Sequence, residues 1–483
     1  MRTLTLAAAG IAACLIALPV SAQETATETP TEVPQETPKE TTTAEEVPAA
    51  QETPQETASS RIQEIATPGG LTAWLVEEHA IPIVTVQIQF DGGARVDEPG
   101  KEGAVNLATA LIEEGAGDMD NQDFAARLDD INSSIGFGAS RDSFSVSVGS
   151  LSENIAETMD LLRIALTDPL FTDEAIERVR EQILSGLRSA KKNPQSLAGK
   201  QWYAAMFGDA SYATPVSGSI ETVTALTRDD VLAAYDRMVA TARMKIGVVG
   251  DIDAQTLAAL LDDTFGTLAE GETLDKTPVT VRETGGLVVI EEDVPQSSVV
   301  LGHRGILRDD PDYIPAYVMN YVLGGGGLTS RLTDEVREKK GLAYSVYSYL
   351  YPLDRAGLYM GGVATANERV AESLELIQQE WARMADGGLT AEELEGAKKY
   401  LTGAFALRFD SNAKIASFLV GAQSADLPID YIDTRNGEVE AVTLEDVARV
   451  AERLLQPENL FVVVVGKPEN LKSADTLADG IGG

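Results

Sequence analysis

Two segments of this chain, a little over two hundred residues apart, repeat one helix-to-strand unit, and that repetition constrains the fold more than any single motif. Thr227-Arg-Asp-Asp-Val leads to Lys245-Ile-Gly-Val-Val-Gly250, and Thr443-Leu-Glu-Asp-Val leads to Phe461-Val-Val-Val-Val-Gly466; threonine and final glycine lie 23 positions apart in both. A threonine followed by carboxylates is a helix N-cap with negative charge in the first turn, and an apolar run closed by glycine is a buried strand. The copies also begin alike. Leu75-Val-Glu-Glu-His-Ala-Ile-Pro82 matches Val289-Ile-Glu-Glu-Asp-Val-Pro295, each a strand that breaks at a proline turn. A chain of 483 residues with 44% hydrophobic content has the length and apolar surface for two such cores.

Between these ends, period-two segments alternate with amphipathic ones. Thr85 to Phe90 and Ser143 to Val148 read as strands, and Ile155 to Leu166, Asp173 to Leu187 and Val370 to Met384 as helices. The expected fold class is α+β, with two homologous domains, residues 61–275 and 276–470, each a largely antiparallel sheet covered by helices. Residues 471–483 form a tail.

The first 22 residues contain one Arg, an apolar run to Val20 and small residues at Val20-Ser21-Ala22, the pattern of a signal peptide cleaved on export. The run is too short for a transmembrane helix, so none is expected in the mature chain. The expected compartment is the periplasm or another exported location. Cys14, the only cysteine, offers a lipoprotein cleavage box, but Leu15 to Val20 stay apolar where such proteins turn polar, which disfavours anchoring there. Residues 23–60 are almost entirely Glu, Thr, Pro, Gln and Ala, with Glu24, Glu28, Glu32, Glu36 and Glu40 at four-residue steps, and read as a disordered tether. Of the net charge of -38, this tether carries -8 and the body from Arg61 onward -31. Such a field repels nucleic acid and anionic lipid and suits a basic peptide.

Four pieces then converge on one resemblance: IPIV-x7-GGARVDEPGKEG from Ile81 to Gly103, Asn193-Pro194, the run SYATPVSGSIETVTALTRDDV from Ser211, and LGGGGLTSRLTDEVREKKGLAYSVYSY from Leu323 to Tyr349. Together they resemble the insulinase/pitrilysin metallopeptidases over about Arg61 to Lys467. The resemblance implies repeated α+β domains facing one another across a chamber. It also implies an inverted zinc motif, H-x-x-E-H, on the helix after the PGKEG turn. Here that helix reads GAVNLATALIEEG, so the three motif positions hold Asn106, Thr109 and Ala110, and the position of the third ligand holds Gly186. None of these side chains can hold zinc in a tetrahedral site. The two histidines, His79 and His303, lie in or beside strands of different repeats and offer no substitute. Glu113 and Glu114 read as solvated helix-end carboxylates.

The second copy keeps what the first lacks. Arg337 and Tyr344 match the Arg and Tyr that family members bring from the far domain to substrate, the guanidinium to hold a peptide carbonyl or carboxylate and the phenol to stabilise the oxyanion. Gly324, Gly325, Gly326 and Gly327 are expected to form a turn that lets substrate backbone approach closely; no Gly-Lys-Ser/Thr follows, so they do not read as a phosphate loop. The resemblance therefore implies a metal-free subunit of an exported two-chain zinc peptidase, with no cofactor in this chain, zinc in a homologous H-x-x-E-H partner, and peptides as substrate. The alternative is a non-enzymatic peptide-binding or assembly scaffold of the same fold.

Overall fold

A computed structural model describes residues 57–471; the expected signal peptide, nearly all of the expected tether and nearly all of the expected tail lie outside the described residues. The first half contains strands β1 (Ile62–Ala66), β2 (Thr72–Glu77), β3 (Ile83–Asp91), β4 (Ser134–Ala139), β5 (Ser143–Leu151) and β6 (Met244–Gly250). They form one sheet in the order β1-β2-β6-β3-β5-β4, antiparallel except where β2 runs parallel to β6. The second half contains β7 (Gly286–Glu291), β8 (Gln296–Arg304), β9 (Ala343–Pro352), β10 (Gly357–Ala366) and β11 (Phe461–Gly466). Their order, β9-β10-β8-β11-β7, repeats the first sheet without β1, down to the single parallel pair, β7 with β11.

The repeat extends to single hydrogen bonds. Thr227 accepts from the Asp230 amide while the Asp230 carboxylate accepts from the Thr227 amide, and Thr443 and Asp446 form the same reciprocal capping box. The strands beyond them are buried at almost every position because one sheet face packs on helices of the same half and the other face packs on a helix from the opposite half. This second packing crosses the chain-order boundary between the domains, and periodicity could not reveal it.

The helix Pro194–Phe207 starts on an Asn193 side chain that accepts from the Ser196 amide, with Pro194 in the first turn, where its missing N–H costs nothing. It then lies across β8 and β11 of the second half. Trp202, fully buried, donates its indole N–H to the Phe461 carbonyl at 3.0 Å. A Cβ on Gly302 would sit 2.9 Å from the Trp202 ring, so the strand needs glycine there. Reciprocally, the helix Asn412–Ser424 lies across β3 and β6 of the first half, where Gln423 donates to the Ile246 carbonyl at 2.9 Å and a Gly247 Cβ would meet the Ala416 carbonyl at 2.6 Å. Each sheet is thus closed by the other half's helix. Trp202→Ala should cost about 3–5 kcal/mol and appear as one lowered midpoint in denaturant, since the cavity opens between the halves. Two separated transitions would contradict the interlock.

The body also begins slightly before Arg61. The amides of Ala58 and Ser59 donate to the two oxygens of Asp433, at 3.0 and 3.1 Å, pinning the end of the sequence-defined tether to the second half.

Candidate functional site: a disabled metal helix and an intact Arg–Tyr pair

The helix that carries the degenerate motif, Ala104–Leu111, follows Gly103, whose φ of 96° is a left-handed value that favours glycine. Asp97 caps it, accepting from the Gly103 and Val105 amides at 2.8 Å each. Burial pushes the Asp97 carboxyl up to about 6, against the pull of those two amides. Asn106 and Ala110 are half-buried on this helix, whereas Thr109 is buried with its hydroxyl committed to the Val105 carbonyl at 2.8 Å and facing the Met238 sulfur at 3.4 Å. Gly186, in the helix Asp173–Ala190, is exposed, with open space where a side chain would begin. The residues at the four ligand and base positions therefore do not fit zinc. Among the described residues, no group of three or more His, Cys, Asp or Glu side chains is placed to hold a metal ion.

An ion pair now joins the two helices. Arg178 of Asp173–Ala190 donates to the Glu114 carboxylate just beyond the motif helix, and Asn121 donates to the same carboxylate at 3.3 Å. Glu114 is thus a tied, half-buried brace rather than the solvated helix end that sequence suggested; Glu113 does remain exposed. His79 lies beyond β2 against Asp251 at 2.7 Å and Glu77 at 3.3 Å, contacts that raise its pKa. His303 is buried in β8, with its Nδ1 against the Arg304 carbonyl and its Nε2 accepting from the Trp381 indole; burial depresses its pKa to about 4, so the ring is neutral.

The Arg–Tyr segment is built differently. π-helical turns span Tyr321–Gly325 and Thr333–Lys339, the uncommon widened turns that often mark functional sites. Arg337 lies in the second of them. The chain then turns at Gly341, φ 60°, with the Gly341 amide bonded to the Arg337 carbonyl at 2.8 Å and the Leu342 amide to the Val336 carbonyl at 2.9 Å. Tyr344 enters β9 as the extra residue of a β-bulge: Ala343 faces Thr365 and Ser345 faces Ala364, leaving Tyr344 unmatched. This brings the Arg337 guanidinium to 5.8 Å from the centre of the Tyr344 ring, and Tyr344 is 79% exposed. The side chains paired by the resemblance are therefore adjacent and face solvent together.

The glycine run has a use the sequence did not show. A Cβ on Gly324 would meet the Ser348 hydroxyl at 2.3 Å, one on Gly325 the Asn320 amide nitrogen at 2.6 Å, and one on Gly326 the Tyr321 carbonyl at 2.7 Å. At these three positions the close approach is to the chain's own backbone and side chains. Gly327 alone, at φ 58°, has open space beside it, followed by Leu328 at 68% exposure.

Residues 73–219 match Insulinase (Peptidase family M16) and residues 225–401 match the Peptidase M16 inactive domain. The chain belongs to the insulinase, or M16, peptidase family. It is 25% identical to an uncharacterized zinc protease of Streptomyces coelicolor, over 87% of this chain and 92% of that one, and 23% identical to a non-peptidase homologue of Helicobacter pylori, over 77% and 86%. A crystal structure of a peptidase M16 inactive domain from Pseudomonas fluorescens superimposes with a TM-score of 0.80 at 28% identity, covering 85% of this chain and 99% of that one. Relatives carry both peptidase and non-peptidase names, so the residues at the motif positions decide the matter, and here they place the chain with the inactive type.

Proposed function

We propose that this chain is the metal-free subunit of an exported two-chain zinc peptidase, closing the chamber over substrate and presenting Arg337 and Tyr344 to a partner's active site. The observation that carries the reading is the contrast between the two halves: a motif helix stripped of ligands, and an Arg–Tyr pair held adjacent by a π-helical turn and a bulge. Zinc bound by a homologous H-x-x-E-H partner would supply the activated water.

The residues of this chain do the rest. Arg337 binds a carbonyl or carboxylate of an extended peptide, and the Tyr344 hydroxyl donates to the scissile carbonyl oxygen as that atom gains negative charge. The acidic body favours basic peptides through long-range attraction. Placement outside the cytoplasm rests on residues 1–22. No helix among the described residues is long and apolar enough to cross a membrane.

The test is reconstitution. The mature chain should not cleave a quenched fluorescent peptide alone, and should co-elute with a homologue carrying H-x-x-E-H and raise that homologue's activity. Co-elution without any gain in hydrolysis would favour the scaffold reading.

A further inference from the structure

We propose that Thr365 is a positioning residue that aims Tyr344, acting through the bulge rather than through substrate. The inference rests on the reading of Tyr344 as an oxyanion donor, but its structural content stands separately. Along β9, Ala343, Val346 and Ser348 are buried, so the inward positions are three apart across Tyr344 and two apart afterwards. The extra residue shifts the strand's phase.

Leu342 lies just before the first ladder pair, Ala343 with Thr365, and its buried carbonyl needs a donor. Thr365 supplies it. Its hydroxyl, on a residue only 2% exposed, donates to the Leu342 carbonyl at 2.5 Å, from the position directly opposite Ala343. On the solvent side, Arg369 donates to the Gly341 carbonyl. The Gly341 and Leu342 amides bond back to the π-helical turn, so both peptide groups leading into the bulge are held at amide and carbonyl, and the Arg337–Tyr344 geometry follows. Arg369 is exposed, so its bond competes with water; Thr365 holds the buried end and is the stronger determinant.

Two measurements test this. With 3-fluorotyrosine placed at position 344, the isolated chain should give one narrow fluorine resonance; Thr365→Val should broaden or split it, and Thr365→Ser, which restores the hydroxyl, should return it. Superimposable spectra for Thr365 and Thr365→Val would overturn the proposal. In the reconstituted complex, Thr365→Val should lower kcat by roughly 10- to 100-fold, the scale of a misplaced catalytic group. It should cause no further loss in a Tyr344→Phe background. An equal loss in both backgrounds would mean a purely structural role and also overturn it. If Tyr344→Phe alone leaves activity unchanged, the oxyanion reading fails, while the fluorine spectra still decide whether Thr365 sets the position of residue 344.

Discussion

Replacing Arg337 by Ala and Tyr344 by Phe together should lower kcat/KM of the reconstituted complex by about 100- to 1,000-fold, the usual loss when donors to a developing oxyanion are removed. The single changes should divide that loss. In the proposed role Arg337 would hold substrate in ground and transition states alike, so Arg337→Ala should act mainly on KM. The phenol hydrogen bond strengthens only as the carbonyl gains charge, so Tyr344→Phe should act mainly on kcat. Stability should hardly change, because Tyr344 is 79% exposed and the Arg337 side chain, 39% exposed, forms a 3.5 Å ion pair with its exposed neighbour Glu338 beside the loose stacking on Tyr344. Full activity in the double variant would show that the pair is ornamental and that the chain does not share in catalysis.

The second large effect concerns the joint between the halves. The hairpin joining β9 to β10 inserts Asp354 beside Asp142 of the first half. Asp142 accepts from the Tyr212 hydroxyl at 2.5 Å and from the Asp354 amide at 3.1 Å. The Arg95 side chain, 3% exposed, lies 3.8 Å from Asp142 and 3.4 Å from Asp354, and among the described residues none of its nitrogens is within hydrogen-bonding geometry of a partner. One guanidinium thus faces two carboxylates with no close bond to either. Burial, and then repulsion from Asp142, push Asp354 up to about 7; Arg95 and the more distant Lys276 oppose the shift, while Asp91 adds to it. Burial raises Asp142 as well.

An Asp ionises near 3.9 in an unfolded chain. The folded state therefore holds this proton more tightly, so the associated stability is present in full below about pH 4, falls as pH rises towards 7, and is gone above it. A displacement of that size, discounted for the 30% exposure of the side chain, corresponds to about 2 kcal/mol. Asp354→Asn, which mimics the protonated acid, should stabilise the chain at pH 8, leave it nearly unchanged at pH 4.5, and flatten the slope between. Asp97, raised to about 6, contributes in the same direction and should keep the slope from vanishing. Thermal denaturation across pH 4 to 8 measures this directly. Equal destabilisation of Asp354→Asn at both ends would mean that the Arg95 ion pair dominates instead.

What the sequence revealed depended on whether the signal was local. The helix N-caps at Thr227 and Thr443 and the strand breaks at Pro82 and Pro295 are short-range patterns, and each appears in the structure as read. The crossed helices were not legible. Trp202 lies 259 residues from Phe461, and an amphipathic pattern says that a face is buried without saying by what. The same distance hid the joint at Asp142 and Asp354, 212 residues apart. Tyr344 was singled out with Arg337 through the family resemblance, but the bulge that turns it outward depends on a pairing partner, and Thr365 bears no local mark of that duty. The glycine run misled in part, because glycine marks close approach of any atoms. At Gly324 to Gly326 those atoms belong to the chain itself.

In the proposed function the metal belongs to the partner and the Arg–Tyr pair to this chain. Metal analysis of the mature chain, of its H-x-x-E-H homologue and of their complex, each purified from the same zinc-supplemented buffer, tests it most directly. No zinc is expected in this chain alone and one zinc per complex, with the metal remaining on the homologue when the two are separated. One equivalent of zinc retained by this chain alone would contradict it, since Asn106, Thr109, Ala110 and Gly186 provide nothing to hold it.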